Sequence, residues 1–182
     1  AGVRVTTPHG TITASDVVLA TNGYTPKATP WHRRRVIPIG SYVIATEEQD
    51  PALIAKLFPT ARMICDSRRV IYYYRASPDG RRVLFGGRTR AGETGAQVAA
   101  ARLRSEMCAL FPELESAGIS HSWMGYVAFT FDTLAHTGKE GRIHHAMGYC
   151  GSGVGMASYL GMEMGPVTYT HWTLPTNKER KS

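Results

Sequence analysis

Residues 145–161 restrict the fold more than any other segment, because a short apolar run passes there through closely spaced glycines into a helical pattern. Glycine adopts positive φ at no steric cost, so the turn can bend sharply and its backbone can approach a ligand. The free N–H groups at the start of the helix favour an electron-rich or anionic ring. We call residues 148–156 the elbow and predict a cofactor contact through Gly148, Gly151, Ser152, Gly153, Val154, Gly155 and Met156.

The elbow differs from the fingerprint of dinucleotide-binding loops. Its glycines at positions 151, 153 and 155 lack the G-x-G-x-x-G order, and no strand–helix–strand unit with an acidic residue follows. The elbow is therefore not predicted to bind the ADP half of a dinucleotide. Because glycine-rich turns also occur without ligands, these residues alone leave both a cofactor contact and a close-packed turn open.

Three further segments are distinctive: DVVLATNGYT at 16–25, YYYRASPDGRRVLFGGR at 72–88 and WMGYVAFTFDTLAH at 123–136. Together with the elbow, their order and spacing resemble the FAD-dependent amine and amino-acid oxidoreductases. That family includes D-amino-acid oxidase, sarcosine oxidase and γ-glutamylputrescine oxidoreductase. The run W-x-G-Y-V-A-F-T is most similar to the last of these.

The resemblance implies an α+β fold in which an antiparallel-sheet substrate domain carries helices on one face. It assigns residues 36–129 to that domain and residues 1–35 and 130–165 to an FAD-binding α/β domain. Residues 166–182 depart from the helix expected there and are predicted to form an atypical tail. The N-terminal βαβ unit of such enzymes has no counterpart here, so we expect a C-terminal part that is inactive alone, whether it arises by deliberate truncation, by proteolysis or from a truncated gene.

The implied reaction is oxidation of the C–N bond of a small amine or amino acid, with hydride transfer to FAD and hydrolysis of the imine. Some relatives bind flavin through a cysteine whose place is taken here by Val127, so non-covalent FAD is expected. The resemblance also puts Thr21, Asn22 and Gly23 near the cofactor, whereas the residues alone are equally those of an ordinary Asn-Gly turn.

Three residues are candidates for contact with the substrate. Arg88 stands where sarcosine oxidase relatives have a pocket histidine and is predicted to bind a carboxylate, the alternative being a surface arginine at a strand end. Tyr74 is predicted to form an aromatic wall, or else to pack within the sheet. His136, in a loop that lies beside substrate and flavin in relatives, is a candidate acid or base.

Local patterns predict most of the secondary structure. A hairpin is expected around Pro8 and Gly10, and a helix over residues 51–58. A capping box at residues 94–97 is expected to start a second helix, which ends at Pro112 and covers the sheet. Strands are predicted over 17–20, 36–46, 62–65, 70–75, 82–87, 119–130 and 142–149.

Composition and charge limit the other functional classes. The net charge of +7 raises nucleic-acid binding, but Arg33, Arg34 and Arg35 form the one tight basic run and no nucleic-acid motif accompanies it. No run approaches a membrane span, and the three dispersed cysteines favour a reducing cytoplasm. His144 and His145 point to opposite faces of a strand, so no metal site is predicted.

Two functions remain open from the sequence. One is the flavin- and substrate-binding part of an amine or amino-acid oxidoreductase, with a small-molecule substrate and no nucleic-acid or membrane partner. The other is a binding domain that retains the fold without FAD. The sequence carries no signal for the oligomeric state.

Overall fold

The computed structural model describes residues 2–88 and 95–169, within which the chain forms two compact units. One unit comprises Ala1–Pro38 and Val127–Ser182, and the other comprises Ile39–Tyr126. The division lies between residues 38 and 39 and again between 126 and 127. The assignment of the units to cofactor and substrate binding stays a prediction.

Strands dominate the described residues and are joined by few helices. The strands are β1 (Val3–Thr7), β2 (Gly10–Ala14), β3 (Val17–Leu19), β4 (Ile37–Thr46), β5 (Ile64–Cys65), β6 (Tyr72–Ala76), β7 (Val83–Arg88), β8 (Ile119–Phe129), β9 (His136–Glu140) and β10 (Ile143–Met147). The α-helices are α1 (Pro30–Arg33), α2 (Pro51–Leu57), α3 (Ala96–Leu110) and α4 (Gly153–Tyr169).

The first unit holds a hairpin and a small mixed sheet. In the hairpin, β1 and β2 pair antiparallel, with Val3 opposite Ala14 and Thr7 opposite Gly10. The other sheet has the order β3-β10-β9, in which β10 is parallel to β3 and antiparallel to β9. A small apolar core of Leu19, Val36, Ala128 and Met147 supports the end of β10, from which the elbow starts.

The second unit is a five-stranded sheet of order β5-β6-β7-β4-β8 with helices packed on one face. Strand residues alternate between the two faces. The covered face contributes Tyr42, Ile44, Tyr72 and Phe85, which pack against Ile54 of α2 and against Leu103 and Met107 of α3. The predicted α+β fold, with an antiparallel sheet covered on one face, is therefore confirmed.

Consecutive glycines in β7 make room for tyrosine rings on both faces of this sheet. A Cβ at Gly86 would lie 2.1 Å from Cε2 of Tyr73, and a Cβ at Gly87 would lie 2.5 Å from Cδ1 of Tyr72. Tyr73 pairs with Gly86, and Tyr72 pairs with Gly87. Each ring thus lies across the glycine opposite it, which explains the F-G-G-R sequence of this strand.

Three details differ from the sequence-based expectations. Strand β9 is absent from the predicted strands, because its sequence HTGKE lacks apolar alternation and all five residues are exposed. Helix α3 is capped by Gly95 without a side-chain cap bond, and Thr94 of the predicted capping box lies outside the described residues. Helix α4 continues through Pro166 to Tyr169, so it extends into the predicted tail, whose residues 170–182 are not among those described.

Candidate functional site

The elbow takes its sharp bend from backbone conformations that favour glycine. Gly148 has a φ of 77°, Cys150 of 52° and Gly151 of 105°. The bend is closed by the Ser152 N–H, which donates to the Tyr149 carbonyl at 2.9 Å. The strand therefore turns into α4 within a few residues, as the glycine spacing predicts.

The first turn of α4 presents backbone donors to its surroundings. Helix geometry leaves the N–H groups of Gly153, Val154 and Gly155 without intrahelical acceptors. The Met156 N–H donates to the Ser152 carbonyl at 3.0 Å, so this group is occupied and cannot make the predicted cofactor contact. Val154 is 95% exposed, and a Cβ at Gly155 would meet no atom within 4 Å. The remaining donors are thus accessible to a ligand.

The strand end at residues 21–23 is joined to the elbow. Asn22 has a φ of 44° and begins a short 3-10 turn, Asn22–Tyr24, that follows β3 after two residues. Its Oδ1 accepts a hydrogen bond of 3.0 Å from the Gly148 N–H. Thr21 is anchored beside it, with 3.2 Å between its Oγ1 and that of Thr25. The structure therefore brings together the two groups of residues predicted to contact the cofactor.

These features fit the ring end of a flavin. The accessible N–H groups and the dipole at the start of a 17-residue helix suit an electron-rich or anionic edge. Asn22 fixes the position of the strand end from which the elbow begins. Residues 21–23 and 153–155 would hold such a ring.

The face of the five-stranded sheet opposite α2 and α3 carries a cluster of polar side chains. Ser41 pairs with Arg88 across β4 and β7, so both side chains lie on the same face. The Tyr73 ring extends across Gly86 towards β4, where its hydroxyl hydrogen-bonds the Ser41 hydroxyl. Burial raises the pKa of Tyr73, so the phenol is neutral at physiological pH. We call Ser41, Tyr73 and Arg88 the hydroxyl–arginine cluster.

Tyr74, the predicted aromatic wall, lies on the opposite face of the sheet. Its ring stacks on Phe85 with centroids 5.4 Å apart and contacts Phe111 edge-on at 5.4 Å and Phe58 at 6.4 Å. These contacts belong to the packed side of the sheet. The structure therefore separates Tyr74 from Arg88 and puts Tyr73 beside Arg88 instead. The alternation in Y-Y-Y-R was visible in the sequence, but not which tyrosine faced the helices.

His136 lies on a cleft in the first unit. The cleft has a volume of about 500 Å³, and its lining includes Trp31, Arg35, Thr130, Asp132, His136 and His145. His136 Nε2 is 3.0 Å from both carboxylate oxygens of Asp132. The hydrogen bond from His136, with further ones from Leu134 and Thr130, lowers the pKa of Asp132 to about 2. The two side chains form a carboxylate–imidazole pair.

The two adjacent histidines of β10 have different partners, as expected for neighbours on a strand. His144 Nε2 is 3.4 Å from Oδ1 of Asp16, whereas His145 Nδ1 is 3.2 Å from Nε2 of the buried His32. In the described ranges 2–88 and 95–169, no three His, Cys, Asp or Glu side chains lie close enough together to hold a metal ion.

No helix of the same ranges is long and apolar enough to cross a bilayer.

The buried pair His32–His145 predicts a loss of stability in mild acid. Burial lowers the pKa of both imidazoles below 6.5; Glu140 opposes the shift, and Arg35 reinforces it. The folded chain therefore binds protons less readily than the unfolded chain, and stability present at pH 7 is lost as the pH falls below about 6.5. Urea unfolding between pH 7.5 and 5 should show this decline.

Two variants locate the source of that decline. His145→Gln should remove part of the pH dependence, whereas His9→Gln, at an exposed hairpin position, should leave it unchanged. Equal pH profiles for the wild-type chain and His145→Gln would contradict the role of the pair.

Comparison with known proteins identifies the fold and the family of this chain. Glycine oxidase from Geobacillus kaustophilus superposes with a TM-score of 0.70 at 19% identity, covering 91% of this chain and 44% of that chain. The mixed fold with antiparallel sheets is therefore shared with an oxidase. Residues 1–165 match the DAO family, described as FAD dependent oxidoreductase, and the chain belongs to this family. The resemblance predicted from the four sequence segments is thus confirmed.

Curated relatives agree with this family. The probable oxidoreductase OrdL of Haemophilus influenzae is 32% identical over 164 residues, which is 87% of this chain and 37% of OrdL. Gamma-glutamylputrescine oxidoreductase of Escherichia coli is 30% identical over 152 residues, which is 82% of this chain and 35% of that protein. The chain thus spans little more than a third of the length of these relatives.

Proposed function

We propose that this chain is the flavin- and substrate-binding part of an FAD-dependent oxidoreductase that oxidises the C–N bond of a small amine or amino acid. The observation that carries the proposal is the elbow: accessible N–H groups at the start of α4, tied to the strand end through Asn22 and Gly148. Membership of the FAD dependent oxidoreductase family supports the choice of cofactor.

When bound, FAD would supply the two-electron acceptor for the substrate C–N bond. The N–H groups of Gly153, Val154 and Gly155 would hold the electron-rich edge of the flavin ring and stabilise negative charge there. Non-covalent binding is part of the proposal, since Val127 stands where some relatives have the linking cysteine. A complete site would also require an ADP-binding segment with the G-x-G-x-x-G order.

We assign the second unit to the substrate, through the hydroxyl–arginine cluster. The Arg88 guanidinium is suited to a bidentate interaction with a carboxylate. With Ser41 as the donor of the bond between the two hydroxyl groups, the Tyr73 phenol can donate its one proton to the substrate in place of its long contact of 3.5 Å with the Tyr42 carbonyl. Ser41 orients that phenol through the hydrogen bond between their hydroxyl groups. These groups would orient an amino-acid substrate without taking part in electron transfer.

His136 remains the proposed acid or base of the first unit. Its Nε2 lies 3.0 Å from the Asp132 carboxylate, which accepts a hydrogen bond from it and leaves Nδ1 for contact with a ligand. An amine substrate must lose its proton before it can give up hydride, and Nδ1 is able to accept that proton.

We also propose a cytoplasmic location, since Cys65, Cys108 and Cys150 are free thiols.

Flavin absorbance and substrate reduction test the proposal. The chain is incubated with excess FAD, freed of unbound cofactor and scanned across the visible flavin band, alone and fused to an ADP-binding segment of an OrdL relative. The fusion should retain a flavin band, and a panel of amines and amino acids should bleach it without oxygen. A folded fusion with no flavin band would favour the alternative, a binding domain that retains the fold without FAD.

The hydroxyl–arginine cluster predicts a defined kinetic defect in the flavin-loaded fusion. Arg88→Gln should raise KM for a carboxylate-bearing substrate by about 10- to 100-fold, because a hydrogen-bonded charge pair is lost. Tyr73→Phe should raise it less. Arg81→Gln serves as the matched control, because Arg81 is exposed and pairs with Glu48 at 2.8 Å. Steady-state kinetics with an amino acid and its decarboxylated amine would contradict the assignment if Arg88→Gln affected both equally.

A further inference from the structure

The cleft on which His136 lies has features that the proposed reaction does not use. All its lining residues belong to the first unit, and its volume of about 500 Å³ is within the range of small-molecule sites. Apart from His136, these residues have no part in the proposed flavin or substrate contacts. The chemistry of its walls therefore indicates a ligand of its own.

One wall of the cleft is a fixed aromatic surface. The Trp31 ring contacts the buried rings of His32 and His145, with centroids 4.9 and 5.5 Å apart. The Arg35 guanidinium carbon lies 3.7 Å from the Trp31 ring centroid, and Arg35 Nη1 donates to the Trp31 carbonyl at 2.8 Å. A second ring, that of Phe131, lines the cleft while 79% exposed. Trp31 therefore holds the Arg35 guanidinium in place, and the exposed Phe131 ring suits contact with a planar aromatic ligand.

The floor of the cleft offers a single hydrogen-bonding position on His145. Its Nδ1 is engaged by His32 Nε2. Its other nitrogen, Nε2, faces β9, where a Cβ on Gly138 would lie only 3.3 Å away. Gly138 and His145 both line the cleft, and the absence of a side chain at Gly138 leaves room for the edge of the His145 ring that carries Nε2. In either tautomer, Nε2 keeps the capacity for one hydrogen bond at this side of the cleft.

The charge of the lining favours an anion. Arg35 and Lys139 are the cations, and Asp132 is the acidic residue among the lining residues. Both oxygens of Asp132 are bound by His136, which reduces its repulsion of an anion. Lys139 forms an ion pair of 3.2 Å with Asp16, whereas Arg35 packs on an aromatic ring. Arg35 is therefore the principal cation for a ligand.

We propose that this cleft binds a planar aromatic carboxylate, with its ring against the exposed Phe131 and its carboxylate on Arg35, which the Trp31 ring holds in place. Its lining residues differ from those of the proposed flavin contact at residues 21–23 and 153–155. It does not depend on the chain being catalytically active.

Binding of 2-naphthoate to the 182-residue chain tests the proposal. Isothermal titration calorimetry should show saturable binding, with no detectable binding of 2-naphthylmethanol, which has the ring without the charge. Arg35→Gln should weaken 2-naphthoate binding about tenfold or more, because a charged hydrogen-bond donor is lost. The neighbouring Arg34→Gln, whose side chain is not among the lining residues, is the matched control and should bind as the wild type does.

Further measurements guard against misfolding and a misplaced ligand. Phe131→Ser changes an exposed side chain, so it should fold normally and weaken binding of the aromatic ring. In NMR spectra, 2-naphthoate should shift the Trp31 indole N–H signal, while added FAD should leave the affinity unchanged. Equal binding of 2-naphthylmethanol, equal loss in Arg34→Gln and Arg35→Gln, competition by FAD or the absence of binding would each overturn the proposal.

Discussion

Replacement of Gly87 by alanine should lower the free energy of unfolding by about 3 kcal/mol. The new methyl group would lie 2.5 Å from Cδ1 of Tyr72 and 3.1 Å from Cδ2 of Leu103. Both neighbours are buried, at 5% and 4% exposure, and lie in the packed core between sheet and helices. Neither side chain can move without disturbing others, so the overlap is relieved only by shifting α3 or β6. Urea unfolding followed by circular dichroism measures the loss.

Gly155→Ala is the matched control for this prediction. A Cβ at Gly155 meets no atom within 4 Å, and the residue lies in the first turn of α4. Alanine is the better helix former, so this variant should be as stable as the wild type or more stable by up to about 1 kcal/mol. If Gly87→Ala were also within about 0.5 kcal/mol of the wild type, the close approach of the tyrosine ring to β7 would be refuted.

Gly148→Ala should have the second large effect, again about 3 kcal/mol, because two costs add. The φ of 77° is unfavourable for alanine by about 1 to 2 kcal/mol. In addition, the new methyl group would lie 2.3 Å from Cγ2 of Thr130. The elbow would have to shift, so flavin retention by the fusion protein should fall as well. Urea unfolding and the absorbance of retained flavin measure the two consequences.

A double variant separates the two costs at Gly148. Thr130→Ser deletes the overlapping methyl group and keeps the hydroxyl that donates to the Leu134 carbonyl at 2.7 Å. Added to Gly148→Ala, it should restore the part of the stability lost to overlap and leave the part due to backbone strain. No restoration would mean that backbone strain alone accounts for the loss.

Local sequence patterns were sufficient where structure depends on a few neighbouring residues. The turn after β6 illustrates this: Gly80 has a φ of 68° and donates from its N–H to the Ser77 carbonyl, a geometry typical of an S-P-D-G sequence. The elbow is similar, since Gly148 and Gly151 adopt the positive φ values that a glycine-rich turn permits. Such conformations are set by backbone sterics, which residue type controls directly.

Other features required the packed structure, because they depend on which side of an element is covered. The sequence Y-Y-Y-R shows that Tyr72 and Tyr74 share a face, yet α2 and α3 decide that this is the core face. Tyr73 therefore joins Ser41 and Arg88, although the sequence pointed to Tyr74. The pairing of His32 with His145, 113 positions apart, was equally invisible in local patterns.

Local sequence patterns predict the glycine-rich elbow, the order of most strands and helices, and membership of the FAD-dependent oxidoreductase family. The hydrogen bond between Asn22 and Gly148, the occupied Met156 N–H and the position of Tyr73 beside Arg88 become visible only in the packed structure. The physical reason is range: dihedral preferences act between adjacent residues, whereas hydrogen-bond partners and buried faces are chosen only when distant segments pack together.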